Sequence, residues 1–402
     1  MFFALKGENF NGNIFAVDAI ERGALVAIVD DDAVPHHPKV IRVNDVLETL
    51  QHLAMYHRLQ SHLPILAITG TNGKTTTKEL CKAVLSEKFN VYATEGNLNN
   101  HIGVPLTLLS MDDDVEFGIV EMGANHAGEI AQLCEIAQPD FGLITNIGKA
   151  HLEGFGGIQG VIRAKSELFT FLMRHAKTVF VNEGNAEVQK LVTADYPNAV
   201  RYNGNKGLEV KSIRSNPYLT LRIGWGKEIL EINTRLLGGY NAENVVAAFC
   251  VGLHLGISTP AILRAIQDYQ PRNSRSQLMD TGKNKIFLDA YNANPSSMFA
   301  AVNEFLLLEE PKKLLILGEM RELGDFSLQE HENIMNYLIQ QGVKDVICVG
   351  QAFEQAALQA GYKYIETTDQ LYAWLSEHPI TGYFVFIKGS RSNRLEKLLP
   401  LL

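Results

Sequence analysis

Apolar and polar positions along this chain follow two periods in turn. Short, largely apolar runs at residues 65–69, 117–121, 141–145 and 178–182 have the length of buried strands. Between them, stretches such as 74–86 and 157–172 repeat apolar residues at helical spacing. Strand, loop and helix recurring in that order predict a mostly parallel sheet covered on both faces. Ahead of it, residues 1–62 carry shorter apolar runs at 2–5, 25–29 and 40–43, then a predicted helix over 45–62, which together make a small α/β unit. Behind it, residues 209–233 alternate apolar with polar and predict inserted antiparallel strands, followed by helices over 241–255 and 260–269. The segment Gln270-Pro271-Arg272-Asn273-Ser274 interrupts the pattern as a linker would. Strands predicted over 285–289, 313–317, 345–349 and 383–387 then define a third, Rossmann-like α/β unit. The expected architecture is α/β in three domains, 1–62, 63–271 and 272–402.

Composition narrows the range of functions. The 402 residues are 46% hydrophobic and 20% charged, in the range of a globular chain of two or three domains. A formal charge of −9 argues against a nucleic-acid or membrane-surface binder, which needs a basic face, so anionic ligands must be met locally. Cys81, Cys134, Cys250 and Cys348 are scattered, without the paired spacing of a zinc site or disulfide framework. No apolar run reaches the ~18 residues of a membrane span, and the first residues lack a basic segment leading into a long apolar one. A cytoplasmic protein without membrane insertion is expected, with monomer as the default state. His52, His57 and His62 recur every five residues, which does not stack on one helical face, so a metal site there is not expected.

The chemistry concentrates where predicted strands end. Ile65-Leu66-Ala67-Ile68-Thr69 empties into Gly70-Thr71-Asn72-Gly73-Lys74-Thr75-Thr76. Glycines let successive N–H groups converge on phosphate oxygens, Lys74 supplies a positive charge, the following helix adds its dipole, and a hydroxyl is placed to ligate Mg²⁺. The strict phosphate-loop pattern has glycine where Ile68 stands, so this is a shortened variant that predicts nucleoside triphosphate binding. Glu121 ends the next apolar run beside Gly123, where a metal carried by a nucleotide needs an oxygen ligand. His151 follows the strand at 141–145 through Asn146-Ile147-Gly148-Lys149-Ala150. Asn97, Asn99 and Asn100 lie in an amide-rich loop suited to the polar edges of a ligand, although amides also favour turns. Lys165 falls on a predicted helix, and by its position alone it is solvent-facing.

Taken together, residues 69–76, 97–105, 121–125, 146–156 and 164–167 resemble the central ATPase domain of the Mur ligases of bacterial cell-wall synthesis. Tyr291-Asn292-Ala293-Asn294-Pro295, the run 317–324 and Lys388-Gly389-Ser390-Arg391 resemble the third domain of the branch that joins D-alanyl-D-alanine to UDP-N-acetylmuramoyl-tripeptide. The resemblance spans nearly the whole chain. It implies ATP and two Mg²⁺ ions, with Lys74 on the β- and γ-phosphates, Thr75 and Glu121 on one Mg²⁺, His151 on the second, and Lys165 as a carbamylated lysine able to orient a cation. It further implies Asn241 and Asn244 on the adenine side, Arg275 reaching the γ-phosphate, and Asp289, Asn292 and Asn294 completing the nucleotide site. Lys388 and Arg391 are the expected holders of the dipeptide carboxylate. The implied reaction runs through an acyl phosphate that the dipeptide amine attacks.

Members of the family begin with a further strand and an Asp-Ser-Arg or Asp-Thr-Arg segment that helps hold the UDP group, whereas Met1 here falls inside the stretch that follows. Two expectations stand: either the true start lies upstream, or the first domain lacks one strand and part of its nucleotide-sugar pocket, which would leave an uncovered sheet edge. Two other readings stay open on the sequence. One is a related Mur or polyglutamate-type amide ligase with a different acceptor or amine, and the other is a binding protein of this fold without turnover.

Overall fold

The computed structural model describes residues 1–204, 208–271 and 276–402. The α/β layering expected from the sequence is present in three sheets, joined by one antiparallel insert and a short hairpin. In the first, Ala27–Val29 lies between Phe2–Phe3 and Val40–Arg42, all parallel, with Phe2–Phe3 as an edge strand. The helix that follows, Val46–Ser61, starts at Asp45, whose carboxylate accepts the Glu48 amide. It packs on central-domain helices Gly103–Leu109 and Glu129–Ala137. Buried Arg58 fixes that contact: it donates to the carbonyls of Ala137 (3.0 Å) and Gln138 (2.9 Å) and pairs with Asp140 at 2.8 Å. Those carbonyls belong to a helix end with no intrahelical donor left for them.

The central sheet has six parallel strands in the order Ala199–Tyr202, Thr178–Asn182, Phe141–Ile144, Ile65–Thr69, Phe117–Glu121 and Val91–Ala93. Ile65–Thr69 and Phe117–Glu121 are buried throughout, because helices cover both faces. From Ile65–Thr69 the chain crosses to one side, and from its neighbour Phe141–Ile144 to the other. The loops leaving these two strands therefore part and open a crevice at their carboxyl ends. Strands Glu209–Ser215, Tyr218–Trp225 and Glu228–Leu237 form the predicted antiparallel insert. The third sheet runs Gln277–Asp280, Lys285–Asp289, Phe384–Lys388, Lys313–Gly318, Val346–Val349 and Lys363–Ile365, with only the first antiparallel.

All four cysteines are buried free thiols, and burial raises the pKa of each, that of Cys250 to about 12. Among the described residues no helix is long and apolar enough to cross a membrane.

Candidate active site

A cleft of about 830 Å³ opens at the carboxyl ends of the central strands, with the third domain as its far wall. Its floor is the loop after Ile65–Thr69. Gly70 has φ +142°, and a Cβ there would lie 2.0 Å from Thr145 Oγ1. Gly73 has φ +79°, and a Cβ there would lie 2.3 Å from Asn244 Oδ1. Both positions demand glycine on conformation and on space. The Asn146 strand-end loop braces this turn: the Thr71 amide donates to the Asn146 carbonyl (2.9 Å), the Asn72 amide to Asn146 Oδ1 (3.0 Å), and Thr145 Oγ1 to the Asn72 carbonyl (2.6 Å). Lys74 opens the helix Lys74–Leu85 and donates to the carbonyls of Gly70 (2.8 Å) and Thr71 (3.2 Å), so its ammonium lies over the loop that phosphates would occupy.

Glu121 is 2% exposed at the end of its strand. Asn99 Nδ2 donates to its Oε1 at 2.8 Å, while Oε2 is buried with no hydrogen-bond partner. A carboxylate oxygen facing a polar cleft in this way has the chemistry of a cation ligand. Thr75 and His151 line the same cleft. Among the described residues no three His, Cys, Asp or Glu side chains form a ready-made metal cluster. The donor set therefore fits Mg²⁺ that arrives with a nucleotide and takes much of its coordination from phosphate oxygens and water.

Lys165 is placed differently from its position-only reading. It is 2% exposed, on the helix Ile158–Arg174, with Nζ 3.5 Å from the Ala124 carbonyl and 5.5 Å from the Phe155 ring centroid. Burial, reinforced by the positive charge of Lys74 and opposed by Glu129 and Glu167, lowers its pKa to about 7.

Asn241 and Asn244 form a buried chain: Thr77 Oγ1 donates to Asn244 Oδ1 (3.0 Å), Asn244 Nδ2 to Asn241 Oδ1 (2.8 Å), and Asn241 Nδ2 to the Leu237 carbonyl (2.7 Å). Both line the cleft, as do Asn97, Asn99, Asn100, Thr76, Asp289, Asn292 and Asn294. Asn294 caps the helix Pro295–Leu307 with its Oδ1 and donates through Nδ2 to Asn72 Oδ1 at 2.8 Å, tying the third domain to the phosphate loop. Arg275 lies outside the described residues.

Lys388 lines the cleft, whereas Arg391 does not. Lys388 is 2% exposed, pairs with Asp289 at 2.6 Å and donates to the Asn292 carbonyl at 3.2 Å, so its charge is already matched. Arg391 lies beside the cleft, in contact with Glu396 at 3.4 Å and 5.8 Å from the ring centroid of the lining residue Tyr291. Sequence reasoning missed Glu129 and Glu322. Burial raises the Glu129 pKa, but the amides of Asn125 and His126 outweigh it and leave the carboxyl below its usual range. Glu322 reaches His151 from the third domain. Glu129 opens a helix after Gly128 and Glu322 lies in the loop before Gly324, positions with no period that distinguishes them from surface residues.

A phosphate loop at the switch point of a parallel sheet, faced by a second α/β domain that contributes to the same cleft, defines a nucleotide-dependent enzyme of the phosphate-loop class. Residues 68–252 match the family described as Mur ligase middle domain, and residues 274–391 the one described as Mur ligase, glutamate ligase domain. A UDP-N-acetylmuramoyl-tripeptide–D-alanyl-D-alanine ligase of Bacillus subtilis (strain 168) is 33% identical over 99% of this chain and 89% of its own length. The crystal structure of MurF from Acinetobacter baumannii superposes with a TM-score of 0.87 at 31% identity, covering 99% of this chain and 89% of that one. MurF ligase from Thermotoga maritima in complex with ADP gives 0.85 at 25% identity, over 99% and 92%. The chain belongs to the Mur ligase family.

Proposed function

We propose that this ligase uses ATP to join D-alanyl-D-alanine to UDP-N-acetylmuramoyl-tripeptide, the two substrates that the names of its relatives give for them. The observation that carries the reading is one cleft bringing Lys74, Thr75, Glu121 and His151 of the central domain together with Asp289, Asn292 and Asn294 of the third.

Lys74 and the amides of the glycine turn would hold the triphosphate. Thr75, Glu121, His151 and a carbamylated Lys165 would hold Mg²⁺, which supplies neutralisation of phosphate charge when bound. A lysine whose pKa is lowered to about 7 is substantially a neutral amine at neutral pH. Its nitrogen lone pair adds to CO₂ and one proton leaves, turning a would-be cation beside Mg²⁺ into an anion. The substrate carboxylate then attacks the γ-phosphorus, ADP departs, and the acyl phosphate is attacked by the dipeptide amine through a tetrahedral intermediate that expels phosphate. Closure of the third domain onto the central one would keep water from that acyl phosphate. Asp289 acts here by fixing Lys388 and the Asn292 carbonyl on the nucleotide wall. With Lys388 thus paired, Arg391 is the remaining candidate for the dipeptide carboxylate.

The test is phosphate release from ATP and Mg²⁺ with the muramoyl-tripeptide and the dipeptide present, absent or replaced by other amines. Release that requires both substrates is expected. Release with the dipeptide exchanged for glutamate would place the chain elsewhere among amide ligases, and no release under any combination would leave a binding protein.

A further inference from the structure

Three buried or bridging features outside the assigned roles stand out: Lys78 under Thr94, an open groove beside Lys149, and the contact between Glu322 and His151. The third is the one with chemical content. His151 belongs to the central domain and lines the cleft, while Glu322 belongs to the third domain, and its carboxylate lies directly against His151 Nδ1. Both residues hold left-handed backbone, φ +51° at His151 and +62° at Glu322, a conformation that residues with a Cβ adopt only when their surroundings impose it.

Those surroundings are visible on both sides. The Glu153 amide lies 3.4 Å from the Glu322 carbonyl, and the one-turn helices Leu152–Phe155 and Gly324–Phe326 pack together. Behind Glu322, the loop is pinned to its own domain. The Met320 amide donates to His331 Nε2 at 3.0 Å, His331 Nδ1 is 2.7 Å from the Ser327 carbonyl, and the Arg321 amide donates to Ser390 Oγ at 3.0 Å. Glu319 accepts the Ala352 amide at 2.9 Å. A rigid loop of one domain thus presents a carboxylate to an imidazole of the other.

We infer that Glu322 is a positioning residue that engages Nδ1 of His151 across the domain boundary, leaving Nε2 as the ring nitrogen available to the cleft. A carboxylate on one imidazole nitrogen fixes tautomer and ring plane, and so decides what the other nitrogen presents to a ligand. Because the carboxylate comes from the third domain, His151 is set for its task only while that domain is seated. The central domain alone holds the histidine without its orienting partner. This deepens the ligase reading above, and its kinetic arm rests on that reading.

The experiment uses the full chain with ¹⁵N-labelled histidine, comparing wild type with Glu322→Ala and Glu322→Gln, and assigning the His151 signals with His151→Ala. In wild type, without nucleotide, the His151 imidazole is expected to hold one tautomer with the proton on Nδ1. In both Glu322 variants it should average between tautomers. In turnover, Glu322→Ala should lower kcat by ~10–100-fold with a much smaller change in the ATP KM, and should cost nothing further in a His151→Ala background. Glu322→Gln keeps the loop's bulk and reports even where the alanine variant folds poorly. Unchanged imidazole signals in the glutamine variant, or additive losses in the double variant, would overturn the inference. Should wild type form no product from the tripeptide and dipeptide, the ligase reading falls, while the nucleotide-free spectra still decide whether Glu322 sets His151.

Discussion

Lys165 shows how far one side chain's meaning depends on what surrounds it. In sequence it is a lysine on a helix that also carries Arg163 and Glu167, and nothing in that spacing marks it as buried. In the fold it is sealed behind the cleft, and desolvation, with Lys74 as a second cause, lowers its pKa to about 7. The neutral fraction, and with it the capacity to take up CO₂, rises as pH rises through that value and falls below it. Carbamylation is therefore expected to be lost on moving from pH 8 to pH 6 and to be restored by bicarbonate at the higher pH. Native mass spectrometry checks this through the presence or absence of one added CO₂. A free amine at pH 8 in bicarbonate would remove Lys165 from the ligand set. Lys388 makes the complementary point. Its partner Asp289 is 99 residues away, and only the parallel register that aligns the two at adjacent strand ends brings them together.

Elements were legible in proportion to their burial. Interior strands such as Ile65–Thr69, Phe117–Glu121, Thr178–Asn182 and Lys285–Asp289 read directly, because a strand covered on both faces must be apolar throughout. Val91–Ala93, Ala199–Tyr202, Gln277–Asp280 and Lys363–Ile365 escaped, being short edge strands whose residues are largely half-exposed and mixed in polarity. The helix Val46–Ser61 was legible as a helix, but its partner was not: its period shows that a face is buried, not against what. Arg58 supplies the answer, and its removal is testable. Asp140 would keep Lys177 at 2.6 Å and the Ile65 amide at 3.1 Å, so Arg58→Ala would not strand a lone charge. It would uncover the carbonyls of Ala137 and Gln138. The expected loss is about 2 kcal/mol, below the ~3–5 typical of a broken buried pair. Chemical denaturation would measure it, and a loss under about 0.5 kcal/mol would mean that water replaces the guanidinium without penalty.

At the scale of the molecule, the site is shared. The phosphate loop is complete within the central domain, whereas Asn294 and Asp289 reach the cleft, and Glu322 reaches His151, only because the third domain is seated on it. That the third domain meets the phosphate loop was legible only through family resemblance, since no periodicity records which loops of two separate sheets will face each other. The order of strands within the third sheet has a further consequence. Phe384–Lys388, late in the chain, is flanked by Lys285–Asp289 and Lys313–Gly318, strands made far earlier. A chain ending before residue 384 should leave residues 285–365 open to protease while the central domain resists, which limited proteolysis would show. During synthesis, then, the phosphate loop can be folded and competent for nucleotide while the wall that faces it is still two unjoined halves. Residues 384–388 close the sheet, and until they emerge the half-made enzyme has no facing wall with which to commit the nucleotide to reaction.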